Sequence, residues 1–301
     1  MVERLGKRVQ NLVDQLLAVG WQTGRLDLVQ DLAYPLPALV IADLLGLPAA
    51  DREMFQGWSD DIAAGMPLFL TRAALDGLRQ AHRSQRELVA YFPGLIAERR
   101  ARPAEDLLSA LVRAKENGTI LSEDELLATC VLLMFAGHET TTNLIGNGLL
   151  ALLRYPDQLG RLRREPALLG GAVEELLRYD SPVQGTARRA TAELELRGQR
   201  IGINEYLLLL LGAANRDPAH FSDPDHLDIT RSDNRHLAFG HGPHFCLGAA
   251  LARLEARIAI GSVLQRCAGL ELAGMPTRRP HFYLRGLTSV PVAFQPQRTI
   301  G

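Results

Sequence analysis

One stretch of this chain reads as a helix far longer than the ordinary mean. Ser122-Glu123-Asp124-Glu125 supplies an N-cap with a carboxylate at the third position, and no proline follows until Pro156. The pattern therefore predicts a helix from about Glu123 to Arg154 that crosses the whole domain, with the other elements packed around it. At its middle lies Ala136-Gly137-His138-Glu139-Thr140-Thr141-Thr142-Asn143, small and polar where a buried helix should be apolar. Gly137 removes bulk on one face, and the Thr140 hydroxyl can compete for a backbone carbonyl, which together open a groove or bulge. Such a defect invites a functional explanation. The bland alternative is a kinked helix with Glu139 facing solvent.

A second stretch carries metal-binding character. Phe239-Gly240-His241-Gly242-Pro243-His244-Phe245-Cys246-Leu247-Gly248 presents one cysteine from a Gly- and Pro-rich loop. Leu247, Ala250, Leu251, Leu254 and Ile258 then recur at helical spacing, placing Cys246 at a helix N-terminus. N–H groups without intrahelical partners and the helix dipole favour a thiolate there. Gly240, Gly242 and Gly248 let backbone approach a flat, bulky group, and Phe239 and Phe245 shield the sulfur from water. Read without context, Cys246 is a small buried hydrophobe at an ordinary helix start.

Composition narrows the function classes. With 47% hydrophobic residues in 301, the chain can bury a substantial core. Lys plus Arg total 33 against 34 Asp plus Glu, so no global basic charge argues for nucleic acid or an acidic membrane. The longest run free of charged residues, 236–252, is the cysteine loop itself, broken by Pro243, and nothing reads as bilayer-spanning. Glu3, Arg4, Lys7 and Arg8 in the first turns read as neither signal peptide nor membrane anchor. Three cysteines, Cys130, Cys246 and Cys267, are odd and sparse, as expected of a reducing cytoplasm.

Leu5, Val9, Leu12 and Leu16 recur at helical spacing, so the chain opens inside an amphipathic helix. Residues 32–45, 51–64 and 71–100 read as further helices, the first starting after a turn at Pro35 and Pro37. Gly65-Met66-Pro67-Leu68-Phe69 separates the last two, and Met54, Phe55, Trp58, Met66 and Phe69 are read as packing residues. Pro103 and Asn117-Gly118 bracket a short helix. Residues 166–179 form another, in which Glu175 and Arg178 share a face; as an exposed pair they contribute only a few tenths of a kcal/mol. After Ser181-Pro182 the pattern becomes extended over 183–188. Leu194, Leu196, Ile201 and Ile203 then alternate with polar residues around Gly198-Gln199, as in a hairpin. Residues 206–214 read as a short apolar helix, and a polar meander leads to the cysteine loop. The last helix reaches about Gln265. Strands near Leu270 and over 282–294 finish the chain, with Gly286-Leu287-Thr288 turning into the pocket. No repeat, low-complexity tract or linker divides residues 1–301, so they form one mainly α domain with a small β portion.

The run F-G-x-G-x-H-x-C-x-G at residues 239–248 resembles, position by position, the haem-binding loop of the cytochrome P-450 family. Ala136-Gly137-His138-Glu139-Thr140 resembles that family's small-Gly-x-acid-Thr motif on the helix over the iron. The resemblance extends from residue 1 to the C-terminus and implies the cytochrome P-450 fold with haem b (iron protoporphyrin IX) as cofactor. By it Cys246 is the axial ligand, and the Leu247 and Gly248 N–H groups point at its sulfur. His244 and the Arg188 of Thr-x-Arg reach the haem propionates, while Phe239, Gly240 and Ala136 line the cofactor. The bland alternative for Arg188 is a solvated edge-strand charge. Dioxygen cleavage needs two protons at the outer oxygen, so Thr140 would hold the oxygen, Glu139 would recharge the relay, and Gly137 would open the space. Glu175 and Arg178 would be the family's buried pair that braces the cysteine loop. Where the family adds a meander Arg, this chain has His226 in Pro224-Asp225-His226-Leu227, a weaker partner for Glu175.

The implied activity is that of a cytoplasmic monooxygenase that inserts one oxygen atom from dioxygen into a small apolar organic substrate. Its electrons come from a ferredoxin or flavoprotein donor, with neither nucleic acid nor membrane as partner. Arg253 and Arg257, four apart on the helix after Cys246, read as a landing site for an acidic ferredoxin, unless Glu255 and other carboxylates neutralise them. The family domain normally begins well upstream, with strands, a substrate loop and a helix whose Arg and His also grip the propionates. This chain is therefore expected to be an N-terminally truncated form. Its alternative reading is a haem-poor pseudo-enzyme or fragment without turnover.

Overall fold

The computed structural model of the protein describes residues 2–65, 72–116 and 121–296. Met66, Phe69 and the Asn117-Gly118 turn lie outside the described residues. The helices are α1 Val2–Ala18, α2 Pro35–Leu44, α3 Arg52–Ala64, α4 Arg72–Ala101, α5 Leu107–Glu116 and α6 Glu123–Arg154, then α7 Pro156–Arg164, α8 Leu169–Tyr179, α9 Leu211–Ala214 and α10 Ala249–Arg266. The strands are β1 Arg25–Asp27, β2 Thr186–Arg189, β3 Leu194–Leu196, β4 Gln199–Ile201 and β5 Tyr206–Leu209, then β6 Cys267–Leu272, β7 Thr277–Arg278, β8 Leu287–Ser289 and β9 Pro291–Pro296.

Helix α6 has the bounds its sequence pattern predicts. Ser122 Oγ accepts from Glu125 N, and the Glu125 carboxylate accepts from Ser122 N at 2.7 Å, a complete capping box. Two apolar clusters share this helix. Leu126, Cys130 and Met134 belong to one with Phe55, Leu88 and Phe92, so α3 and α4 pack on the first half of α6. Leu144, Ile145, Leu149 and Leu152 belong to the other with residues of α1, α8 and α10. The polar run 136–143 falls between the clusters, which is where a cavity can exist without sacrificing either core. Phe55 and Trp58 are core residues as expected, whereas Met54 is 40% exposed.

Of the groove or bulge expected in α6, a groove forms along Ala136, Gly137, Thr140 and Thr141 and the bulge does not. Thr140 Oγ1 donates to Ala136 O at 2.9 Å, but the helix stays regular, and at Gly137 an added Cβ would come within 3.3 Å of Ile41. Residues 206–214 are also corrected. Tyr206–Leu209 is a strand, paired antiparallel with β2 from Thr186↔Leu209 to Arg189↔Tyr206, and only Leu211–Ala214 is helical. An unbroken apolar run has no period to distinguish strand from helix, so the partner strand decides. The 286–288 turn is a third correction: Leu287 lies in β8 at 1% exposure, and Gly286 packs against the Asn143 side chain of α6.

Strands β1, β9 and β6 form an antiparallel sheet in that order, with Val292 of β9 between Leu26 and Leu272. The sheet fastens residues near the start of the chain to residues near its end. Among the described residues no helix is long and apolar enough to cross a membrane.

Candidate haem-thiolate site

The site begins with a buried ion pair two helices away from the cysteine. Arg178 donates to Glu175 from Nε at 2.7 Å and Nη2 at 2.8 Å, and to the carbonyls of Asn215 at 2.9, Pro224 at 2.8 and His226 at 3.1 Å. All its N–H directions are thereby used, which is the condition under which a fully buried guanidinium is tolerable. Glu175 also accepts from Asp228 N at 2.9 Å, Arg231 Nε at 3.2 Å and Asn234 Nδ2 at 3.1 Å. The third arm of this pair is thus Arg231, and the expected His226 is corrected. The meander brings Arg231 back onto Glu175, while His226 offers Arg178 only its carbonyl and meets the Tyr155 ring edge-on. Asn215, held by Arg178, accepts from Leu237 N at 2.7 Å, so the pair fixes the chain two residues before Phe239.

The cysteine loop is shaped by its own backbone. Gly240 and Gly242 take φ of 73° and 72°, the left-handed region that costs a side chain energy. Phe245 N donates to Gly242 O at 3.0 Å and Cys246 N to Phe239 O at 2.9 Å, folding residues 242–244 into a single 3₁₀ turn before α10. Helix α10 starts at Ala249, so Cys246 sits just ahead of its first turn. Burial pushes the Cys246 thiol up, and the Gly248 N–H and the Arg253 charge pull against it without reversing the shift. A metal ion would supply the missing bias, since a coordinated thiol is deprotonated outright.

Arg253 lies 4.5 Å over the Phe239 ring and donates to both oxygens of Glu174 at 2.7 Å. Burial pushes the Glu174 carboxyl up, but hydrogen bonds from His236 and Arg253 outweigh it and hold its pKa at about 2. Arg253 is thus already paired, and the expected need for a partner protein to offset it falls away. Arg257 remains exposed, its Nε on the Arg253 carbonyl at 3.3 Å.

Between α6 and this loop is a cavity of about 380 Å³. Helix α6 lines it with Ala136, Gly137, Thr140 and Thr141, the loop with Phe239, Gly240, His244, Cys246 and Gly248, and β2 with Arg188. The Arg188 guanidinium donates only to Thr186 Oγ1 and Ala187 O, and among the described residues no carboxylate pairs with it. One thiol, an arginine and a histidine as donors, small residues on the facing helix and mostly apolar walls match what a haem with two propionates requires. Glu139 is not in the lining: it is 2% exposed and turned to Arg279, whose Nη1 donates to its two oxygens at 2.7 and 2.9 Å. The Leu247 side chain, 84% exposed, and Phe245, 51% exposed, also point away from the cavity, so of the two aromatic shields only Phe239 is in place.

Arg231, Glu174 and Arg279 had no signal in a motif; each is an isolated charge until the fold brings its partner. Glu255 had a weak one, a carboxylate at the third position after Ala252 on the face that lines the cavity, where it is 2% exposed.

The family model for cytochrome P-450 matches residues 1–281. The biotin biosynthesis cytochrome P-450 of Bacillus subtilis is 45% identical over 288 residues, covering 95% of this chain and 71% of that protein. The cytochrome P-450 monooxygenase PikC of Streptomyces venezuelae is 45% identical over 307 residues, covering 100% of this chain and 71% of that protein. Among solved structures, P-450 BioI with hexadec-9Z-enoic acid ligated acyl carrier protein superposes with TM-score 0.90 at 44% identity, covering 97% of this chain and 75% of that one. CYP109E1 from Bacillus megaterium in complex with testosterone gives 0.92 at 35%, covering 97% and 77%. With the fold, the cysteine loop and these likenesses together, the chain belongs to the cytochrome P-450 family of haem b monooxygenases.

Proposed function

We propose that this protein is a single haem-thiolate domain that inserts one oxygen atom from dioxygen into a small apolar organic molecule, using electrons from an external ferredoxin or flavoprotein. The observation that carries the reading is that Cys246 and Thr140 face one cavity from opposite walls. Cys246 would hold the haem, which when bound would supply dioxygen activation favoured by a thiolate ligand. The rest is done by the chain. Arg188 and His244 hold the propionates, Phe239 and Leu144 exclude water, and the Gly248 N–H tunes the sulfur. Thr140 turns its hydroxyl from the Ala136 carbonyl to give its proton into the cavity, and Glu139, next in the helix, swings from Arg279 to return one to it. Relatives that hold a fatty acyl chain and a steroid support an apolar substrate of that size class. The test is the absorption spectrum of the reduced protein under carbon monoxide. The thiolate-type band is expected in the wild type and absent in Cys246→Ser; its survival in the variant removes the assignment.

The alternative reading, a haem-poor relative without turnover, is favoured by the exposed apolar side chain next to the cysteine, Leu247 at 84%. Haem stoichiometry after gel filtration separates the two.

A further inference from the structure

A second acid stands beside the carboxyl that the proton relay uses. Asp60 of α3 and His138 and Glu139 of α6 each bring one oxygen or nitrogen to within 4.8 Å of the others. The His138 nitrogens lie 3.1 Å from Ser59 Oγ and from Tyr34 O, and burial pushes the imidazole toward its neutral form. The Tyr34 O–H donates to Asp60 Oδ2, while Asp60 Oδ1 is buried without a hydrogen-bond partner in the protein. Arg279 occupies both oxygens of Glu139, which disfavours a metal cation in this cluster. His281, two residues on, is engaged with the Ala63 carbonyl.

The charges decide what the cluster holds. Two ionised carboxylates against one guanidinium leave a buried negative charge and a like-charge contact, and a single proton relieves both. It also gives Asp60 Oδ1 the partner it lacks. Burial pushes the Glu139 carboxyl up, Arg279 only partly offsets this, and Asp60 adds to the rise.

We propose that Asp60 and Glu139 form a carboxyl pair that holds one proton, with Asp60 as the positioning residue that keeps Glu139 loaded for the step toward Thr140. The inference rests on the relay reading given above. The Glu139 O–H bond breaks as its proton leaves toward Thr140, leaving two negative charges on one guanidinium. One proton from solvent, entering at the half-buried Asp60, restores the pair, and no electrons move.

Infrared spectra of the full haem-loaded chain at neutral pH test the pair without turnover. A protonated-carboxyl band is expected in the wild type, absent in Glu139→Gln, lost in Asp60→Asn as Glu139 ionises against Arg279, and retained in Asp60→Glu. A band unchanged in Asp60→Asn overturns the pair. Should Asp60→Asn fail to fold by circular dichroism, Tyr34→Phe decides: losing a donor to the ionised form should carry the band to higher pH, and an unmoved titration overturns the proposal. Coupling of reductant to product, probed with hexadec-9Z-enoic acid, separates the two readings. If Glu139→Gln leaves coupling unchanged, the relay and with it the role of the pair fall. If Glu139→Gln uncouples but Asp60→Asn neither loses the band nor uncouples, only the pair falls.

Discussion

Cys246 differs from the other two cysteines in what surrounds it. Burial pushes Cys130 and Cys267 up to about 11, and neither lines the cavity. Cys130→Ser and Cys267→Ser should therefore keep the thiolate-type carbon monoxide spectrum that Cys246→Ser loses. Thr140 leads to a second expectation. With its hydroxyl gone, Thr140→Ala should still consume reductant but release hydrogen peroxide in place of oxidised product, a drop of about 10²-fold in coupled turnover if proton delivery is general-acid catalysis. Unchanged yield of product per reductant would take Thr140 out of the mechanism. At this scale the motif letters were legible but side-chain directions were not. Glu139 follows from its place in the pattern, whereas its turn away from the cavity depends on Arg279, 140 residues later in the chain.

Among the elements, helix α8 carries two ion pairs of different kinds. Glu175 and Arg178 are both fully buried, so removing one partner strands the other charge; Arg178→Ala should cost about 3–5 kcal/mol in denaturant unfolding. Arg178→Lys should recover little of it, since an ammonium cannot reach the same spread of carbonyls. Glu174 and Arg253 are about one-third exposed and give a pH signature instead. The Glu174 carboxyl is depressed from 4.5 to about 2, so its stabilisation is present above the higher value and lost as pH falls toward the lower. The difference in unfolding free energy between wild type and Glu174→Gln should shrink across that window by on the order of 2 kcal/mol after allowance for solvent screening. A difference constant with pH would mean that the pair contributes through packing alone. An i,i+3 pair in a sequence says nothing of burial, which is why Glu175 and Arg178 looked like an ordinary surface pair until the meander closed over them.

For the molecule as a whole, haem is both cofactor and part of the core. The cavity is walled by Leu144, Leu177, Ala238, Phe239 and Leu251 of the apolar cluster that α6 shares with α1, α8 and α10, so filling it should extend that cluster and raise the thermal midpoint as free haem increases. The exposed apolar row from Leu208 to Leu210 and the Leu247 side chain should bind an apolar dye such as ANS in the chain without haem. No dye binding, and a midpoint indifferent to haem, would show that the cavity closes by itself. What the sequence determined by itself was local: the ends of α6, set by its capping box and Pro156; the loop of Gly240 and Gly242, set by backbone freedom; and the thiol that such a loop presents. These follow from residues within a few positions of one another. Tertiary structure decided the rest. It made Tyr206–Leu209 a strand by giving it β2, replaced His226 with Arg231 on Glu175, paired Arg253 with Glu174, and placed Asp60 beside Glu139. Each is a contact between residues far apart in the chain, and a charge or an apolar run acquires a role only when burial removes water as its competing partner.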